Sequence, residues 1–166
     1  MSTRRCAAPD AVTCAQRSAI DHLGEPWAVA LPPIPLDNGE VSGSIVDAQA
    51  RLNVNALGTT SAVADLQRAR IARLFAQRGG PSAAIDAIAD WIDSDKIARE
   101  GGAEDAFYAG RPRGGLTANS PVQRVAELFE VKGVAPASLA AVAPFLTALP
   151  PDTPVNINTA PPEVLA

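Results

Sequence analysis

The sequence predicts an α+β fold in which a helical lobe is inserted into a β framework. Two observations predict it. Apolar residues alternate with a period of two around Val41–Ala56, recur at helical spacing from about Ser61 to Leu149, and return to an extended run at Thr153–Asn158. The helical segments also carry their own start and stop residues, whereas the flanks are rich in Pro, Gly and Asn.

Taken in order, residues 1 to about 20 show no strong periodicity. "EPWAVALPPIPLDNGE" reads as an extended connection ending in a turn at Asp37–Asn38–Gly39. In "EVSGSIVDAQARLNVNAL", Val41, Gly43 and Ile45, then Leu52, Val54 and Ala56, alternate as two short strands joined through Asp47–Ala48–Gln49. Ser61 is placed to cap a first helix with Val63, Leu66, Ile71, Leu74 and Phe75 inward, ended by Gly79–Gly80. A second helix begins near Ser82 and aligns Ile85, Ile88 and Ile92. A third opens at "SPVQRVAEL", with Ser120 as cap, Pro121 in the first turn, and Val122, Val125, Leu128 and Phe129 as its buried stripe. A fourth follows Pro136 with Leu139, Val142, Phe145 and Leu146 inward. Thr153–Asn158 is expected as a strand in one sheet with those near Val41–Asn55, and "APPEVLA" as the opening turn of a helix that the chain cuts off, the mark of a fragment.

Composition excludes several functions. The 166 residues suffice for one domain with a core, or two small lobes. Apolar residues make up 47% but aromatics only 4%, so the core is a light one of Leu, Ile and Val. A net charge of −4 argues against a nucleic-acid partner, which needs clustered Lys and Arg. No apolar run approaches the roughly 20 residues that cross a bilayer, and "MSTRRCAAPDAV" lacks the apolar centre of a signal peptide. Cys6 and Cys14 on one helix would lie about 12 Å apart along its axis, too far for a disulfide, whereas in coil they could pair. The single histidine, His22, has no Cys or His at ligand spacing and reads as a surface residue. With one histidine, no GxSxG, no HExxH and no phosphate-binding glycine loop, no catalytic set is present.

One stretch stands apart. "WIDSDKIAREGGAEDAFY" crowds Asp93, Asp95, Glu100, Glu104 and Asp105 around two glycines. Calcium takes about 6–8 oxygens, and such a loop can supply them from carboxylates and sharply turned backbone. Asp93, Asp95 and Glu104 fall at the first, third and twelfth places of an EF-hand-like loop. Ile97 stands where an oxygen is wanted and Ala98 where the turn needs glycine, so this is not an EF-hand. A second reading is a solvated acidic loop with Tyr108 packed on the core. A third, paired catalytic carboxylates, ranks last because no catalytic nucleophile accompanies them. Composition alone favours the solvated loop, since charge runs are usually solvated.

"WIDSD", "GGAEDAFY", "NSPVQRVAELFEVKGV", "LTALP" and "TPVNINTAPPEVL", preceded by "DHLGEPWA" and "VSGSIVDAQARLNVNAL", together resemble the minor pseudopilin K family of type II secretion over roughly residues 21 to 166. The resemblance implies a pilin-like β framework with a large inserted α-helical domain. Residues 1–24 would then be a remnant or poorly ordered N-terminal segment, 25–58 and 150–166 the incomplete framework, and 59–149 the inserted domain. It implies a non-enzymatic protein at the tip of a periplasmic pseudopilus, partnered by minor pseudopilins I and J, supporting export across the outer membrane of Gram-negative bacteria. It also implies calcium in the helical domain, with Asp93, Asp95, Glu104 and Asp105 as ligands and backbone carbonyls of 97–102 completing the shell. The family's apolar N-terminal membrane helix, which anchors it in the inner membrane, and its closing C-terminal part have no counterpart in these residues.

An alternative comes from "VAELFEVKGVAPASLAAVAPFL" and "VNINTAPPEVLA", which resemble helix-hairpin-helix DNA-binding modules. "KGVAP" offers one glycine where such hairpins place two, and Lys132 is the only basic residue between Arg124 and the end of the chain. The charge is wrong for DNA.

Overall fold

The computed structural model describes residues 20–112 and 114–166. Cys6 and Cys14, and the expectation made for residues 1–19, lie outside the described residues. The chain separates into two compact units between Val46 and Asp47.

In the first unit, a single 3₁₀ turn at Pro26–Ala28 leads into strands β1 (Leu31–Leu36) and β2 (Gly39–Gly43). They pair antiparallel, with Leu36 opposite Gly39, so the expected turn closes on Asp37–Asn38. The register slips between Leu31 and Ile34, where Pro32 and Pro33 have no N–H to give the ladder. Every residue of both strands is exposed. His22 is exposed too, its Nδ1 accepting the Gly24 N–H.

The second unit holds the core. Its strands are β3 (Leu52–Asn53) and β4 (Leu146–Thr147), paired parallel. Its helices are α1 (Ala62–Gln77), α2 (Ala83–Ile92), α3 (Asp105–Ala109), α4 (Pro136–Val142) and α5 (Pro162–Leu165). Ser61 caps α1 as its position predicts, its Oγ accepting the Ala64 N–H at 3.1 Å. The helix stops where Gly79 takes φ +76° and the Gly80 N–H reaches back to the Phe75 carbonyl. Leu52, Val54, Leu57, Ile71, Leu74, Phe75, Ile88, Leu128, Leu139, Val142 and Val164 form a continuous buried cluster with the rest of α2.

Several expectations need correction. Val63 and Leu66 of α1 are exposed, and the face they were to occupy is turned so that Ala64 and Gln67 go inside. Gln67 is inside because its Oε1 accepts the buried Asn53 N–H at 3.0 Å. The strands expected to join through Asp47–Ala48–Gln49 do not pair with each other: β2 ends at Gly43 with Val41 opposite Ile34, and Asp47 caps a 3₁₀ turn at Ala48–Ala50. Leu52–Ala56 is strand only at Leu52–Asn53 before Val54–Gly58 winds into a 3₁₀ helix. The third helix does not start at Ser120. The Val122 N–H donates to Asn55 Oδ1 instead, keeping the chain extended, and Glu127 Oε1 collects the Gln123 and Arg124 N–H groups. Only a 3₁₀ helix, Val125–Glu130, follows, and Phe129 is exposed.

Thr153–Asn158 is not a strand. The Asn156 N–H donates to the Gln49 carbonyl at 2.9 Å, and Thr159 and Ala160 turn back onto Asn156. Asp47 holds the turn by accepting from Thr159 Oγ1 at 2.6 Å and Asn156 Nδ2 at 3.0 Å. Pro150, Pro151 and Pro154 withhold the donors that a ladder would need. The pairing with β3 comes instead from Leu146–Thr147, just past α4. The strands therefore lie in two separate two-stranded sheets rather than one.

Candidate metal centre

Helix α2 delivers the first carboxylates. It is buried on nearly all sides, from Ala84 to Ile92, so its C-terminal turn is held rigidly. Asp90 and Asp93 stand three residues apart there and face the same side. Asp93 ends the helix, its N–H donating to the Ala89 carbonyl before the backbone turns extended. Asp95 follows, with Oδ1 accepting the Ile97 N–H at 2.8 Å in a local turn. Across the loop, Glu104 precedes α3, its carbonyl accepting the Phe107 N–H.

Asp93, Asp95 and Glu104 each offer an oxygen within 4.8 Å of the others'. Asp93 and Glu104 are only 7% and 8% exposed, while Asp95 is open to solvent. Asp93 Oδ1 and Glu104 Oε1 are both buried without a hydrogen-bond partner. Orphaned buried carboxylate oxygens are costly, and two of them in one carboxylate cluster are what an oxygen-seeking cation would repair. The donor set is carboxylate only, which suits a hard ion such as calcium.

Asp105 does not join them. Its Oδ1 accepts from Thr117 Oγ1 at 2.6 Å and the Thr117 N–H at 3.0 Å, and its Oδ2 lies 3.6 Å from Lys96 Nζ. Those Thr117 hydrogen bonds, backed by Lys96, hold the Asp105 carboxyl below its ordinary pKa. Glu104 moves the other way: burial pushes its carboxyl up, and the neighbouring Asp90 and Asp93 push in the same sense. The backbone of the loop is partly committed as well, because the Gly102 carbonyl accepts from Lys132 Nζ at 2.7 Å.

Residues that the acidic spacing did not announce complete the surroundings. Arg99 Nη1 donates to both Asp90 Oδ1 and Asp93 Oδ2. Tyr108, buried on α3, accepts the Lys132 N–H at its Oη, and its ring meets Trp91 edge-on with centroids 4.9 Å apart. The loop is thus pinned between the Trp91 helix and Tyr108.

The fold and the site define a class: a mixed helix-and-sheet domain with a carboxylate cluster between two helices and, among the described residues, no helix long and apolar enough to cross a membrane. The family model for type II secretion system (T2SS) protein K matches residues 50–151. The chain belongs to that family. It is 36% identical over 156 residues to type II secretion system protein K of Pseudomonas aeruginosa, covering 90% of this chain and 46% of that protein. With the Klebsiella pneumoniae protein of the same name it shares 35% over 162 residues, 89% of this chain and 50% of the relative. Its fold is similar to a chain in the crystal structure of the GspK–GspI–GspJ complex from enterotoxigenic Escherichia coli. The TM-score is 0.82 at 27% identity, over 92% of this chain and 58% of that one. The chain spans about half the length of the curated relatives it matches.

Proposed function

We propose that this chain is part of a non-enzymatic minor pseudopilin that stands at the tip of a type II secretion pseudopilus with minor pseudopilins I and J. The observation that carries the reading is the likeness of a protein K family member to a chain of the GspK–GspI–GspJ complex, which extends over 92% of this sequence. In this reading residues 59–149 are a helical domain inserted into a pilin-like framework, and the full-length protein faces the periplasm from an inner-membrane anchor. Its contribution to export is structural. Mixing this chain with the soluble domains of its cognate pseudopilins I and J, at micromolar concentration, should give a co-eluting complex on size exclusion. Three separate peaks at that concentration would count against the assignment.

The acidic centre belongs to the same reading. Asp93, Asp95 and Glu104 would hold a calcium ion, which supplies the positive charge that lets the three carboxylates sit together. The orphaned Asp93 and Glu104 oxygens support it. Asp105 fastens Thr117 instead and holds the start of α3 in place. Calorimetric titration with calcium chloride tests it, and no heat at millimolar calcium would leave only an acidic turn.

Nothing favours the helix-hairpin-helix alternative. Val125–Glu130 forms a 3₁₀ helix rather than the first arm of a hairpin, and the ammonium of Lys132 is spent on Gly102.

A further inference from the structure

The acidic loop carries a cation of its own. Asp90 is wholly buried, and its Oδ2 accepts the Arg99 backbone N–H at 3.0 Å while its Oδ1 accepts from the Arg99 guanidinium. The same Nη1 also donates to Asp93 Oδ2, which leaves Oδ1 unpartnered on a carboxylate clustered with those of Asp95 and Glu104. The path of the loop does not depend on the guanidinium alone. The Arg99 N–H bond to Asp90 is a main-chain contact, Lys132 holds the Gly102 carbonyl, and Asp95 holds the Ile97 N–H. Gly102 lies so close to Asp90 that a Cβ there would come within 1.8 Å of Oδ2. What the Arg99 side chain alone supplies is a unit of positive charge on a carboxylate that also belongs to the metal cluster.

We propose that Arg99 is the resident counter-cation of this centre and sets its affinity for a divalent ion. Without the ion, the guanidinium balances Asp90 and Asp93 and keeps the loop folded. When the ion arrives, both cations share Asp93, and their mutual repulsion weakens binding. Arg99 thereby keeps the centre from being a tight trap and makes its occupancy follow the surrounding calcium concentration. This inference rests on the reading of Asp93, Asp95 and Glu104 as a calcium site. The competing role is a plain clamp, in which Arg99 only shapes the loop and its loss would weaken calcium binding.

The test is calorimetric titration of calcium chloride into the wild-type chain, R99Q and R99K, with thermal melts in chelator and in millimolar calcium. R99Q should bind calcium about tenfold more tightly than wild type, as expected when a unit charge a few ångströms from the ion is removed. It should also melt lower than wild type in chelator, with the deficit shrinking in calcium. R99K keeps the charge and should stay within about threefold of wild type. A folded R99Q that binds as wild type does, or more weakly, overturns the proposal and leaves the calcium site standing. If R99Q does not fold in chelator, R99K decides, and a loss beyond threefold speaks for the clamp and overturns the counter-cation. Binding by R99Q without binding by wild type would sink the native calcium reading and with it the tuning of native occupancy by Arg99. Heat from neither chain sinks both.

Discussion

Asp90, Arg99 and Gly102 are the residues on which the acidic centre turns. Asp90 has no exposure at all, and Arg99 is its charge partner, so Asp90→Ala leaves a guanidinium half-paired and a hole beneath the loop. Breaking a buried pair costs about 3–5 kcal/mol. Because the Arg99 side chain is 30% exposed and water can repair part of the loss, the expected figure is about 2–4 kcal/mol, read by urea unfolding in chelator. A cost under about 1 kcal/mol would mean the pair is not formed in solution. Asp95→Ala is the complementary probe. It removes only an exposed carboxylate with one local hydrogen bond, so calcium affinity should fall about tenfold or more while the chelator melt barely moves. Glu104 supplies the pH test. Its folded pKa is raised above the ordinary 4.5, so the folded state binds its proton more tightly than the unfolded one does. Its contribution to stability is then fully present below pH 4.5 and is lost as pH rises through the raised folded value. In chelator, Glu104→Gln should therefore melt higher than wild type at pH 7, with the gain fading on acidification towards pH 4.5. A constant difference across that range would mean that the carboxyl is not perturbed.

At the scale of elements, a polar seam joins distant parts of the second unit. Asn55, buried on the 3₁₀ helix after β3, donates to the Val122 and Leu149 carbonyls and accepts the Val122 N–H. Asn53 donates to the Pro150 carbonyl and accepts the N–H groups of Asn55 and Leu149. These two side chains stand in for the sheet that the sequence pattern led one to expect, satisfying backbone that has no strand partner. Asn55→Leu should cost about 3 kcal/mol, because it strands one buried N–H and two carbonyls at once. A near-neutral effect in chemical unfolding would show that water replaces the seam. The same seam explains why the third helix failed: Val122 gives its N–H to Asn55 before any helical turn can claim it.

On the scale of the whole molecule, the buried apolar cluster among the described residues runs from Leu52 to Val164. A chain beginning at Asp47 should therefore unfold cooperatively with a melting temperature within a few degrees of the full chain's. A broad, non-cooperative melt would contradict that division. Calcium should act on this second unit alone. At a hundredfold excess over Kd it adds about 2.7 kcal/mol to stability if the unfolded chain does not bind it. Hydrogen exchange should accordingly slow at residues 93–108 on adding calcium and stay unchanged in β1 and β2. Equal protection throughout would argue against a local site.

The sequence by itself determined the local features. Ser61 before an apolar period and Gly79–Gly80 after it placed α1, the Asp37–Asn38–Gly39 run placed a turn though not the strand that enters it, and the run of carboxylates placed the candidate centre. Each of these is decided by groups a few residues apart, whose propensities survive into the fold. The tertiary structure decided the rest. Which face of α1 goes inside depended on Gln67 meeting Asn53. The fate of Thr153–Asn158 depended on Asp47 more than a hundred residues earlier, and that of Asp105 on Thr117. Asp90 and Arg99 carry no motif or spacing in the sequence that pairs them. They are partners because the loop after α2 folds back onto that helix, with Gly102 where a Cβ would collide with Asp90. A hydrogen bond or ion pair between distant residues leaves no periodic trace in a chain, because only the folded backbone brings its two ends together.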